Sequence, residues 1–175
     1  MDQKGDTWLK TLIRWLCIII GIKLIIICFV FLRFAEKSNE YKGINVAQNP
    51  QFCFKEQCIN LEIAQSDEER ALGLMFRESL EKDEWMVFLF PKEDYHGMWM
   101  RNVRIPLDIL WINKENKVVH IVSAPPCEED DCVSYKSQEL NSFAIELNSW
   151  EAKNLWIGIW DIVELKGITF SWSRN

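Results

Sequence analysis

Three kinds of side chain in this sequence could do chemistry. The first are carboxylates set in apolar runs: Asp108 in Leu107-Asp108-Ile109 and Glu146 in Ile145-Glu146-Leu147. A buried carboxylate needs a donor or a countercharge, and two carboxylates within reach of each other could support general acid–base catalysis. Arg77, which follows Gly73-Leu74-Met75-Phe76, is a natural partner because its planar fork serves a carboxylate through two parallel bonds. A buried pair of Arg77 with Asp108 or Glu146 would be structural, and that reading leads. The same three groups in an open cleft would suit an anionic ligand, or a hydrolase acting on envelope material.

The second kind is cysteine. Cys17 and Cys28 lie in an apolar segment, and the other four form two C-x4-C pairs, Cys53/Cys58 and Cys127/Cys132. A nucleophilic thiol needs a nearby base and a lowered pKa, whereas the acidic run Glu128 to Asp131 would raise the pKa of its neighbours. Local disulfides are the better reading, each contributing on the order of 2 kcal/mol through loop entropy. The third kind is the alternating set His96, Met98 and Met100. On a strand these three share a face, and imidazole with thioethers suits Cu(I). Met in an aromatic-rich strand is more often core filler, so copper is a secondary alternative and no cofactor is expected.

These groups need elements to hold them. Residues 59–63 alternate Ile59, Leu61 and Ile63 with Asn60 and Glu62, the pattern of a half-buried strand. With Phe52-Cys53-Phe54 before it and Lys55-Glu56-Gln57 between, a hairpin is predicted. Ser66 with Glu69 three residues on is a capping box, and starts a short helix with Ala71, Leu72, Leu74 and Met75 on its apolar side. Residues 86–90, 98–100, 107–112, 118–122, 143–147 and 161–165 are strand-like. Many short strands with one short helix predict a mainly β domain, a small barrel or sandwich.

Upstream, Leu16 to Leu32 is apolar apart from Lys23. With Trp8 to Phe34 as the ordered segment it is long enough to cross a bilayer core of about 30 Å as a helix. Small-x-small cleavage residues are missing after it, which favours an uncleaved anchor over a signal peptide. Basic residues balance on its two sides, so they do not orient it. The cysteine pairs do: disulfides belong to an oxidising compartment, which sets the C-terminal part outside the cytoplasm. The expected organisation is a cytoplasmic stub and anchor over 1–34, a polar linker over 35–50, and an exported domain over 51–175. The chain has 20 Lys/Arg and 26 Asp/Glu, of which five and two lie in residues 1–34. The remainder, 15 against 24, gives the head a formal charge of −9. Such a surface is a poor match for phosphate backbones, so no nucleic-acid partner is expected. The partners expected are the membrane, through residues 8–34, and an unknown small molecule or envelope component.

Three motifs go together: ERALGLMFRESL at 69–80, MWMRNVRIPLDILWIN at 98–113 and PPCEEDDCVSY at 125–135. Together they resemble the bacterial and archaeal family called domain of unknown function 192 (DUF192), from about Ile59 to Leu165. That family has no established reaction, so the resemblance implies architecture rather than activity. Arg77 matches the family's Arg, Trp99 its Trp, and Tyr135 the Tyr that follows its two Cys. Arg77, Trp99, Asn102, Asp108, Tyr135 and Glu146 are therefore the candidate ligand contacts, with Trp99 and Asp108 expected at the centre of the core. The family pattern has glycine where this chain has Trp85, Trp150, Trp156 and Trp160. Misreading of a UGA codon that the source cell translates as glycine would produce such a set; the alternative is a chain that carries all nine tryptophans and has repacked around them. The leading function is a membrane-anchored, extracytoplasmic, non-enzymatic binding or accessory domain.

Overall fold

The computed structural model describes residues 41–172 except 83 and 128–130. The expected membrane helix over 8–34 lies outside the described residues. Among the described residues no helix is long and apolar enough to cross a membrane.

The elements in chain order are β1 (Tyr41–Phe54), β2 (Gln57–Ala64), α1 (Asp67–Leu72), β3 (Glu84–Asp94), β4 (Gly97–Trp99), β5 (Leu107–Ile112), β6 (Val118–Ala124), β7 (Ser134–Lys136), β8 (Asn141–Asn148), α2 (Glu151–Asn154) and β9 (Glu164–Trp172). Seven strands form one sheet in the order β6-β5-β8-β3-β2-β1-β9, and β4 pairs with β7 separately. Only β2 and β3 run parallel within the large sheet. The crossover between them carries α1, as a parallel connection requires a long excursion.

The hairpin is as the alternation predicts. Cys53 faces Cys58 across β1 and β2, and Phe54 faces Gln57 around the Lys55-Glu56 turn. The facing cysteines are bridged with Cα atoms 4.1 Å apart, and Cys127–Cys132 forms the second disulfide at 5.9 Å. The capping box is complete: Glu69 N donates to Ser66 Oγ at 3.1 Å, and Ser66 N to Glu69 Oε2 at 2.9 Å. α1 stops at Leu72 because Gly73 turns at φ 45°. Leu74 is therefore buried in the turn beyond the helix, while Leu72 is exposed.

Two expectations need correction. Tyr41 to Pro50, expected as linker, is the first part of β1 and pairs with β9; its polar side chains hid a strand whose backbone is held by its neighbour. The sheet is also not closed into a barrel. It curls far enough that Phe143 on β8 stacks on Phe170 of β9 with centroids 5.8 Å apart, although three strands lie between theirs. Breaks in pairing register between Val46 and Gln51, and between Leu89 and Asp94, supply such curvature. The two edges, β6 and β9, do not pair as strands. The segment 160–163 spans them instead, with Trp160 N donating to Val118 O at 2.7 Å and Val163 N to Asn116 O at 2.9 Å.

Both faces of the sheet are covered. The concave side carries Trp85, Val87 and Leu89 of β3, Leu110 and Ile112 of β5, and Phe143, Ile145 and Leu147 of β8. The convex side carries Met86, Phe88 and Phe90, then Leu107, Ile109 and Trp111, then Ala144. Segments 74–80 and 98–105 lie over that convex side, joined where Phe76 N donates to Asn102 O at 2.8 Å. Two-sided burial explains why β5 reads as a continuous apolar run rather than an alternation. Trp99, expected in the core, is instead 45% exposed, because its neighbours Met98 and Met100 take the inward positions of the same short strand.

Asp108 is structural. It is buried, accepts from Ser123 Oγ at 2.6 Å, and accepts from Ala152 N at the start of α2 at 3.2 Å. Asp108→Ala should therefore leave a hydroxyl and a helix-end N–H without an acceptor and cost about 2–3 kcal/mol in urea unfolding. A loss below about 0.5 kcal/mol would contradict this anchoring role.

Candidate functional site

The side-chain period of a strand decides which charged groups can meet. Asp108 shares its face with Leu110 and Ile112, on the concave side. Glu146 shares its face with Ala144, on the convex side. Asp108 lies opposite Leu147 in the β5–β8 ladder, and Glu146 opposite Ile109. The sheet therefore separates the two carboxylates, and the expected convergence of Arg77, Asp108 and Glu146 does not occur.

Arg77 takes a partner not foreseen, Glu62 of β2. Its Nη1 and Nη2 donate to the two Glu62 oxygens at 2.6 and 2.5 Å, a fork-to-fork pair. Glu62 faces Met86, and Met86 faces Glu146. Arg77, Glu62 and Glu146 thus belong to one region of the convex side. The guanidinium beside Glu62 holds that carboxyl below its usual range. Glu146 is 2% exposed. Burial pushes its carboxyl up to about 8, against a weaker downward pull from the Arg77 charge. At neutral pH Glu146 is therefore largely a protonated acid, able to donate a hydrogen bond.

A groove of about 360 Å³ opens on the same side. Arg70 and Ala71 of α1, Phe88, Phe90 and Pro91 of β3, and His96, Met98 and Trp99 around β4 line it. A separate crevice of about 20 Å³, room for about one water, is lined by Gly73, Leu74, Val103 and Glu146 and shares Arg70, Ala71, Phe88, Met98 and Trp99 with the groove. Arg70 is fixed at the rim. It donates to Leu89 O at 2.8 Å and pairs with Asp67. Gly73 makes the crevice wall possible, since a Cβ there would come within 3.1 Å of the Phe88 ring. Trp99 presents an exposed indole, with the Arg101 guanidinium 5.8 Å from its centroid.

The remaining predicted residues scatter. Tyr135 faces Met98 across β4 and β7 and packs against the convex core. Asn102 contributes its carbonyl to Phe76, from a left-handed backbone at φ 57°. His96 stacks on Phe90 at 3.8 Å, with Nε2 2.8 Å from Lys92 O, and burial lowers its pKa. His96 and Met98 line the groove, but Met100 is buried beneath it. Among the described residues no group of three or more His, Cys, Asp or Glu is arranged to hold a metal. Sequence reasoning missed Arg70, Glu62 and Phe90. Only the capping box, which fixes the phase of α1, pointed toward Arg70.

The groove draws Arg70 and Ala71 from the 69–80 motif and Met98 and Trp99 from the 98–113 motif, and the chain belongs to the DUF192 family, described as an uncharacterized ACR, whose model matches residues 51–165. Among solved structures it is similar to a putative transcription regulator from Sinorhizobium meliloti 1021, at 25% identity and a TM-score of 0.60, covering 74% of this chain and 98% of that one. It is also similar to a protein of unknown function from Novosphingobium aromaticivorans DSM 12444, at 29% identity and a TM-score of 0.60, covering 72% and 95%. No curated protein matches the chain.

Two outcomes follow from these charges. Arg77 and Glu62 are each about a third exposed, at 31% and 40% of the side chain, so solvent screens the pair. Arg77→Ala should cost about 1 kcal/mol, not the loss of a buried pair, and should raise the Glu146 midpoint further. A loss above about 3 kcal/mol in urea melts would overturn this. For Glu146, the folded carboxyl keeps its proton to about pH 8, whereas an unfolded one releases it near its ordinary value of 4.5. Folding therefore takes up a proton between these limits. Its contribution is complete below 4.5 and is lost as pH rises through 8, at up to about 1.4 kcal/mol per pH unit. Glu146→Gln should flatten that slope in stability measured across pH 4–9, and an unchanged slope would show that Glu146 is ionised in the fold.

Proposed function

We propose that the chain is a membrane-tethered, extracytoplasmic and non-enzymatic binding module. Its ligand is a small, largely apolar molecule with one polar end. The observation that carries this reading is the open groove beside Trp99, which shares Arg70, Phe88, Met98 and Trp99 with a small crevice at Glu146. Aromatic and thioether surface from Phe88, Phe90, Met98 and Trp99 supplies apolar contact, and the protonated Glu146 supplies a donor at the inner end. The two disulfides support an oxidising compartment, and the apolar segment 16–32 supports tethering.

The hydrolase alternative is weakened by the separation of Asp108 and Glu146 onto opposite faces, which removes the carboxylate pair it needs. The Cu(I) alternative keeps only His96 and Met98 in the groove. The transcription-regulator description belongs to the Sinorhizobium protein. For this chain the formal −9 of residues 35–175 argues against a nucleic-acid partner.

Thermal-shift measurements on the full chain in detergent, with a panel of aromatic amides, aromatic acids and medium-chain fatty amides, test the reading. At least one class should raise Tm by mass action. Trp99→Ala should abolish that rise while costing unliganded stability no more than about 2 kcal/mol, as expected for a half-exposed indole. A rise that survives Trp99→Ala would place binding elsewhere.

A further inference from the structure

Among the described residues three tryptophans stand at positive φ: Trp150 at 74°, Trp156 at 57° and Trp160 at 76°. A bulky side chain in that region is a genuine outlier, because its Cβ crowds the following carbonyl. The three fall within residues 150–160, around and just after α2, and each holds a different backbone role that favours a residue without Cβ.

Trp156 ends α2. Its N–H donates to Lys153 O at 3.0 Å, and the next N–H, of Ile157, reaches back to Ala152 O at 2.9 Å. These are the paired bonds of a Schellman termination, whose left-handed position is normally glycine. Trp160 is the third residue of the turn Gly158 to Asp161, closed by Asp161 N donating to Gly158 O at 3.2 Å. Ile159 has no positive φ, so the turn has the type II arrangement, which calls for glycine at its third residue. Trp150 precedes α2 with left-handed φ and ψ and gives no side-chain cap, where an N-cap is normally extended. Its ring finds Lys153 Nζ at 5.5 Å.

The side chains do not compensate for the strained backbone. Trp150, Trp156 and Trp160 are 65%, 81% and 62% exposed, so little burial offsets the steric cost. Among the described residues the other non-glycine positions at positive φ are three Asn, one Lys and one Phe; Asn tolerates the region well. Concentration of one bulky residue type in three unrelated glycine motifs points to a common cause upstream of folding. Among tryptophan assignments that cause is a codon: UGA is Trp in some codes and can be decoded as glycine in others.

We infer that positions 150, 156 and 160 are glycine in the protein as its source cell makes it, encoded by UGA. The loop then carries no exposed aromatic cluster, and α2 starts and stops on unstrained backbone while keeping Ala152 N on Asp108. Trp85 is not part of this inference. It lies in β3 with no positive φ, is fully buried, and donates its indole N–H to Glu151 Oε2 at 2.8 Å.

Peptide mass spectrometry of the protein isolated from its source cells decides it. Glycine masses at all three positions, with UGA at the three codons, are expected. Tryptophan at any one of them overturns the inference. A second measurement reads the strain directly. In full chain produced recombinantly with tryptophan at these sites, the triple variant Trp150→Gly/Trp156→Gly/Trp160→Gly should unfold at a temperature higher by on the order of 5 °C. A lower unfolding temperature would show that the indoles stabilise the loop and would also overturn it.

Discussion

Burial of the large sheet on both faces is the constraint on which the remaining architecture depends. β3, β5 and β8 have no solvent side along most of their length. Every residue on them must therefore suit one of two apolar layers. Trp111 Nε1 and Ser142 Oγ are buried there without a hydrogen-bond partner, whereas some polar groups find one inside the layer they enter. Asp108 does so on the concave side, with Ser123 and the start of α2. Glu146 enters the convex side, where the Arg77 charge reaches it but is already committed to Glu62. One carboxylate is solvated by donors and the other is kept neutral by burial, so two similar-looking acids differ in chemistry because a strand alternates its faces.

The convex cover depends on that same constraint. It consists of turns and two short strands rather than a second full sheet, and is held at points such as Phe76 N to Asn102 O and Cys127 N to Val103 O, at 3.1 Å. Phe76 and Asn102 both sit at positive φ there, a conformation Asn tolerates and Phe does not. A cover assembled from turns leaves openings that a continuous sheet would close. The groove beside Trp99 is one.

Much of this was legible in the sequence. The hairpin with facing cysteines, the capping box and the strands at 86–90, 107–112, 118–122 and 143–147 follow from local alternation and turn chemistry, which act over a few residues; β7 was not read, and the strand expected at 161–165 begins only at Glu164 and runs on to Trp172. The face assignment of Asp108 and Glu146 was not legible. Each strand's parity can be read alone, but whether Glu146 lies with Ile109 or with Asp108 is set by the register of β5 on β8, a long-range choice. The hydrogen-bonding partner of Arg77 was missed for the same reason: Glu62 read as the solvent side of β2, and the parallel β2–β3 ladder brought it under the turn that carries Arg77. The barrel expectation failed because strand count says nothing of closure, which depends on whether β6 and β9 meet. Trp99 was misplaced because its aromatic, Met-rich setting looks the same from either side of a strand.

The pairing of β1 with β9 has a consequence in time. Gln51 and Lys166 are ladder partners, yet nearly the whole domain is synthesised between them. Contacts so distant along the chain delay folding, since loop closure must precede the energy they return. Until β9 arrives, the far side of β1 presents unpaired N–H and C=O groups, and such an edge recruits other chains. A domain emerging gradually, from a ribosome or through a narrow export channel, passes through a stage in which its oldest strand is exposed and its last is still missing. During that interval the Cys53–Cys58 clasp can hold β1 to β2, keeping the hairpin intact while its other neighbour is made.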